Sequence, residues 1–210
     1  LIFDQSIAMR LPRTSLKLAV FAAADFEIKP LLEVLTERKI DFIACAVGVG
    51  ALNAALNIRE HAQRANNRDA IFVGTCGTFG SFSNPTLVQA QEVCWLPTCE
   101  RVSLSYPVPG SAAPVSLANL SPWRESLPGV RVVCAPNVSL TDRLPSSYDA
   151  SQCVENIELY SCAAALKHSA RSLTAILCTT NAVGKEAHRQ WKQNFELAAS
   201  LTAKHFKEML

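Results

Sequence analysis

The sequence predicts an α/β fold: one domain with three α/β/α layers around a mixed, largely parallel central sheet. Three observations predict it. Short apolar runs alternate with stretches of helical spacing along most of the chain. The 210 residues suit a single domain of generous size. Hydrophobic residues make up 49% and charged residues 18%, which is the balance of a chain with a core.

The elements follow in order. "LKLAVFAAA" (16–24) reads as a buried strand. "EIKPLLEVLTERK" (27–39) has apolar residues at 28, 31, 32 and 35, the spacing of one helix face. Pro30 is acceptable there if it falls in the first turn. "DFIACAV" (41–47) is a second strand, and the tight "GVG" turn opens a second helix over 50–65. "DAIFVG" (69–74) is a third strand, with "GTCGTFG" (74–80) as a small-residue loop leaving it. The segment 81–150 is rich in Pro and Ser and is read as long loops with extra strands, such as "VQAQEVCWL" and "VRVVCAP". A helix is predicted over 150–170, a strand over 173–180 and a long final helix over 185–210. Strands separated by helices require crossover connections, hence a largely parallel sheet covered on both faces. Residues 1–15 show no periodicity and are read as a flexible leader, with Met9 as a candidate start; the domain is placed at 16–210.

Bulk properties narrow the function. A net charge of +2 is too small to point to nucleic acid or an anionic membrane. No apolar run has the roughly 18 to 20 residues of a membrane span. The leader does not match a secretory signal, so a cytoplasmic protein is expected. The eight cysteines contain no C-x-x-C pair and mostly lie inside apolar runs, so they read as reduced, buried, structural residues. No metal site and no cofactor are expected: Cys94 and Cys99 lack a paired His-x-x-x-His.

In largely parallel sheets, ligands collect at the carboxyl ends of the strands. Four stretches lie there: "AADFE", "GVG", "GTCGTFG" and "TTNAVG". Glu27 follows the first strand at a helix start. It is either a carboxylate favoured by the helix dipole or a general base for water. Glu158 lies in a small, apolar stretch, where an acid needs a partner; a sugar diol or a surface cation would serve. Asn181 offers both an acceptor and a donor, which suits the edge of a heterocycle or the cap of the next helix. "GTCGTFG" is a tight turn or a binding loop. The four histidines are read as surface or structural, and Trp191 as core packing or as lining the site.

These stretches, in this order, resemble the nucleoside phosphorylase and nucleosidase superfamily. "AADFEIKPLL" looks like the first strand and glutamate turn of the nucleosidases, and "VGVGALNAA" like their next turn. "FVGTCGTFG" is similar to their base-binding loop, and "VENIELYSCAAA" to the helix that holds the ribose. "CTTNAVGKEAHRQW" falls where these enzymes carry a purine-contacting Asp or Asn. Many phosphorylases of the superfamily have a phosphate-binding arginine two residues before the G-T-C-G loop. Phe72 stands there, so hydrolysis is favoured. "TNAVG" and "ENIE" resemble the futalosine hydrolases of the menaquinone pathway, although Leu159 and Tyr160 replace the smaller Gly and Ala of that pattern.

The resemblance implies catalytic roles for Glu27 and Asn181. It implies substrate contacts from Val49, Thr75, Cys76, Gly77, Asn156, Ile157 and Glu158. It further implies a purine nucleoside as the small-molecule partner and a homodimer or higher homo-oligomer. The alternatives are a methylthioadenosine or S-adenosylhomocysteine nucleosidase, a phosphorylase, and a non-catalytic nucleoside-binding relative.

Overall fold

Apolar, β-rich runs place strands wherever both faces of the sheet are covered. The computed structural model describes residues 16–80, 82–103, 113–117 and 127–210. The proposed leader and Met9 lie outside the described residues, as does much of the Pro-rich stretch after Arg101. In chain order the elements are β1 (Lys17–Ala22), α1 (Asp25–Glu37), β2 (Asp41–Ala46), α2 (Ala51–Ala62), β3 (Asp69–Thr78) and β4 (Leu87–Trp95). Then come α3 (Thr98–Arg101), β5 (Val115–Ser116), β6 (Gly129–Cys134), β7 (Cys153–Glu155), α4 (Leu159–Leu166), β8 (Ser172–Ala182) and α5 (Ala187–Met209).

The sheet runs β2-β1-β3-β7-β6-β4-β5, with β8 pairing both β3 and β4. β1–β2, β1–β3, β3–β8, β4–β6 and β6–β7 are parallel, whereas β3–β7, β4–β8 and β4–β5 are antiparallel. The mixed, largely parallel sheet is therefore present. Its middle also curls: β3, β7, β6, β4 and β8 pair in a closed ring.

Helices cover both faces. Ile28, Leu31 and Leu35 of α1 and Phe206 of α5 pack on Leu18, Val20 and Ile71. Ala54 and Ile58 of α2, with Leu159, Cys162 and Leu166 of α4, pack on Ala19, Phe21 and Phe72. All eight cysteines are free thiols, and six are buried, consistent with their reading as small core residues. Among the described residues, no helix is long and apolar enough to cross a membrane, and no cluster of His, Cys, Asp or Glu is placed to hold a metal ion.

Four local expectations are corrected. The helix predicted over 150–170 is confined to α4, because Cys153–Glu155 is taken into the sheet between β3 and β6. The Asn156 side chain then accepts from the amides of Glu158 and Leu159 and opens α4. "GTCGT" is not a loop: β3 runs on to Thr78, paired with β8 across a register shift at Cys76/Gly77. α1 begins at Asp25, so Pro30 is its sixth residue and denies the Phe26 carbonyl a helical donor. His168 lies in the turn after α4 rather than on a helix.

Candidate functional site

The carboxyl ends of β1, β3 and β8, with the turn before α4, enclose a cavity of about 460 Å³. The nine residues singled out above, Glu27, Val49, Thr75, Cys76, Gly77, Asn156, Ile157, Glu158 and Asn181, all line it.

Glu27 is placed by the start of α1 and held by β3. Its Oε2 accepts from the Ala24 amide at 3.2 Å. Its Oε1 accepts from the Thr75 amide and hydroxyl, each at 3.0 Å. The Thr75 hydroxyl in turn accepts from Trp191 Nε1 at 3.2 Å. Glu27 thus closes the first turn of α1 and also lines the cavity. Burial pushes its carboxyl up from 4.5, tempered by the Thr75 and Ala24 donors.

Glu158 stands at the start of α4 and is 4% exposed, which removes the reading of a wet-face acid paired with a surface cation. Its Oε1 accepts from the Gly50 amide at 2.8 Å. Gly50 has φ of 94°, a backbone conformation that other residues adopt only with strain, so the "GVG" turn aims this amide. Burial first, and the nearby Glu27 charge after it, push the Glu158 carboxyl up to about 7; the Gly50 bond opposes them. Asn156 ties the two carboxylates' supports together: its Nδ2 donates to the Thr75 carbonyl at 3.1 Å while its Oδ1 caps α4.

Asn181 sits near the end of β8, register partner of Gly77. Its Oδ1 accepts from the Thr180 hydroxyl at 2.9 Å and its Nδ2 donates to the Ala182 carbonyl at 3.0 Å. Among the described residues, these bonds leave one N–H and one lone pair of the amide available. A Cβ at Gly77 would lie 2.8 Å from Asn181 Nδ2, so glycine is required there for the amide to keep its place.

Several lining residues are not among those nine. Trp191 faces the cavity rather than the core, stacked between His188 and Phe195 with Phe26 edge-on. The positions 188, 191 and 195 share a helix face, a spacing that could have flagged them. His188 and Lys185 also line the cavity. Val138 and Leu140 come from the segment before β7 and carried no local signal, whereas Glu155, on β7, opens the quoted "ENIE" but was given no role of its own.

No family model matches the chain, and no curated protein does. Solved structures match over nearly its whole length. The Helicobacter pylori 5'-methylthioadenosine/S-adenosylhomocysteine nucleosidase superposes with a TM-score of 0.72 at 14% identity, covering 93% of this chain and 97% of its own. The Helicobacter pylori futalosine hydrolase gives 0.71 at 14% identity, covering 93% and 97%. The Streptococcus pyogenes S-adenosylhomocysteine nucleosidase, solved with 5-methylthiotubericidin, gives 0.71 at 15%, covering 93% and 96%. At such identities the likeness is one of fold: the chain has the nucleoside phosphorylase/nucleosidase fold.

Proposed function

We propose that the protein hydrolyses the N-ribosidic bond of a purine nucleoside. Its substrate is a 5'-modified nucleoside such as futalosine, from which it releases hypoxanthine, a step of menaquinone biosynthesis. One observation carries this reading: two buried carboxylates, Glu27 and Glu158, open into one cavity on different supports.

In this mechanism Glu27 orients a water at the anomeric carbon and takes its proton as the water oxygen bonds to that carbon. The bond from the carbon to the purine nitrogen breaks through an oxocarbenium-like transition state, and its electron pair passes to the purine. Glu158 accepts from the ribose 2' and 3' hydroxyls, and Ile157 packs against the sugar. Asn181 donates to the purine as charge builds on it. Its neutral amide tolerates a 6-oxo group, which an ionised Asp would repel. Val49, Thr75, Cys76, Gly77 and Asn156 border the bound nucleoside. No step needs a metal or a cofactor.

Water is the acceptor rather than phosphate. Among the described residues no arginine lines the cavity, and Phe72 is fully buried in the core. A homodimer would cover the exposed Val49, Leu52 and Leu56 next to the cavity, and light scattering would show its mass.

Adenine release from methylthioadenosine is the second reading, because the methylthioadenosine nucleosidase and the futalosine hydrolase of Helicobacter pylori match this fold equally well. Chromatography of the bases released from futalosine, inosine and methylthioadenosine separates the two. Hypoxanthine from futalosine is the expected product. Adenine from methylthioadenosine alone would transfer the assignment to the second reading.

A further inference from the structure

We infer that Trp191 is a positioning residue for the base: through the Thr75 hydroxyl, its indole N–H keeps the Glu27 carboxylate ionised and fixed in the cavity wall. This deepens the proposed nucleosidase reading and rests on it for the task given to Glu27.

Three elements meet at this point. β3 supplies Thr75, α1 supplies Glu27 and α5 supplies Trp191. The indole Nε1 donates to the Thr75 hydroxyl oxygen at 3.2 Å, and that hydroxyl donates to Glu27 Oε1 at 3.0 Å. An indole N–H can only donate, and a hydroxyl has one proton and two lone pairs. The indole takes one lone pair, so the hydroxyl proton turns away from Trp191 and towards Glu27. A hydroxyl that accepts at its oxygen is polarised and donates more strongly. The relay therefore runs one way, from α5 through β3 to the carboxylate.

Neighbouring rings hold the indole to this bond. Phe195 stacks on it with centroids 4.9 Å apart, and His188 lies nearly parallel at 5.9 Å. Phe26 meets it edge-on at 5.8 Å and meets Phe195 edge-on at 5.1 Å. Phe26 directly precedes Glu27 on α1. Trp191 thus grips both the residue beside the carboxylate and the hydroxyl bonded to it.

Burial makes such a relay necessary. Desolvation favours the neutral form of Glu27, and a protonated carboxyl cannot take a proton from water. Donors to the charged form oppose burial, and the Thr75 amide and hydroxyl weigh most among them. The amide is fixed by the β3 backbone, whereas the direction of the hydroxyl depends on Trp191. Among the described residues five other titratable groups line the cavity: Cys76 on β3, Glu155 on β7, Glu158 before α4, and Lys185 and His188 at the start of α5. The charges of Glu158 and Glu27 act on each other. None of the five bonds the Thr75 hydroxyl, so removing the indole N–H breaks the relay and leaves them in place.

The test reads the Glu27 carboxyl directly, by NMR titration of the carboxyl carbons in the ligand-free protein. The signal is assigned by its loss in Glu27→Gln. Trp191→Phe should raise the Glu27 midpoint by about half a pH unit, the polarisation it removes from one hydrogen bond. Thr75→Val should raise it by about one unit, since a bond to a charged group is lost. Trp191→Phe added to Thr75→Val should raise it no further, because the relay is already cut. A second replacement of Trp191, by 3-benzothienylalanine, puts sulfur in place of the indole N–H in a ring of the same shape. It should reproduce the rise seen in Trp191→Phe with the aromatic stack intact.

A midpoint unmoved by both replacements of Trp191 would overturn the inference. So would an equal further rise in the Thr75→Val background, for Trp191 would then act on Glu27 by packing alone. Release of no base from any nucleoside, with the expected midpoints observed, would overturn the nucleosidase reading and leave the link from Trp191 to Glu27 standing.

Discussion

Glu27 and Glu158 are similarly buried carboxylates of the cavity, yet the protein treats them differently. Glu27 has both oxygens engaged by three donors, two of them backbone amides. Among the described residues Glu158 has one short bond, from the Gly50 amide to Oε1 at 2.8 Å, with its own amide and the Asn156 side chain as weaker neighbours. A carboxylate tied at both oxygens is fixed in position, as a base that must meet one water needs to be. A carboxylate with a free oxygen beside a cavity has capacity for a ligand's hydroxyls. The proposed function gives chemistry to the first and binding to the second, in keeping with this difference.

Breaking Glu27 is the harshest test of that division. Glu27→Gln should lower kcat by about 10³-fold, within the range for general-base loss, while the affinity for free base stays within a few fold. Retained turnover would move the base role elsewhere. Glu158→Gln should act mainly through KM. Two hydroxyl bonds to a charged acceptor weaken, and kcat/KM should fall by about 10²-fold; an unchanged KM would remove Glu158 from the sugar.

Glu158 also sharpens the comparison through pH. Its folded carboxyl is raised from 4.5 to about 7, so between those values the folded protein holds a proton that the unfolded chain has released. Stability therefore falls as pH rises through this window, by ~3 kcal/mol in order of magnitude. In Glu158→Gln this fall should be much reduced in urea titrations at pH 5 and pH 8. Activity moves the opposite way: both carboxylates work ionised, so kcat/KM should drop as pH falls below about 7. A flat profile from pH 8 to pH 5 would contradict both roles.

Smaller effects belong to the walls. Asn181→Asp should shift the ratio of inosine-type to adenosine-type cleavage towards adenosine by about tenfold, the size of one charged hydrogen bond. An unchanged ratio would take base reading away from Asn181. Trp191→Phe keeps the stack with Phe195 but frees Thr75, and should cost kcat about fivefold, the worth of one neutral hydrogen bond.

Between residues 16 and 74 the strands and helices were legible, apart from the start of α1, because each run carries its own pattern. The cavity residues on their ends followed from the rule that ligands gather there. What was not legible depended on contacts distant in sequence. Cys153–Glu155 carries spacing compatible with a helix, and it becomes a strand only because β3 and β6 are there to pair with it. Glu155 stands in the quoted "ENIE" but was given no role of its own, for its partners Arg101 and Ser139 lie 54 and 16 residues away. For Trp191 the sequence left packing and site lining both open, because the Thr75 hydroxyl that engages it lies 116 residues off.

The most direct test of the central claim is the identity of the sugar product. Purified protein is given futalosine without and with phosphate, and the products are resolved by mass spectrometry. Hydrolysis predicts hypoxanthine with a free sugar in both, at equal rates. A sugar 1-phosphate, formed only when phosphate is present, would contradict the assignment of Glu27 as the base that activates water.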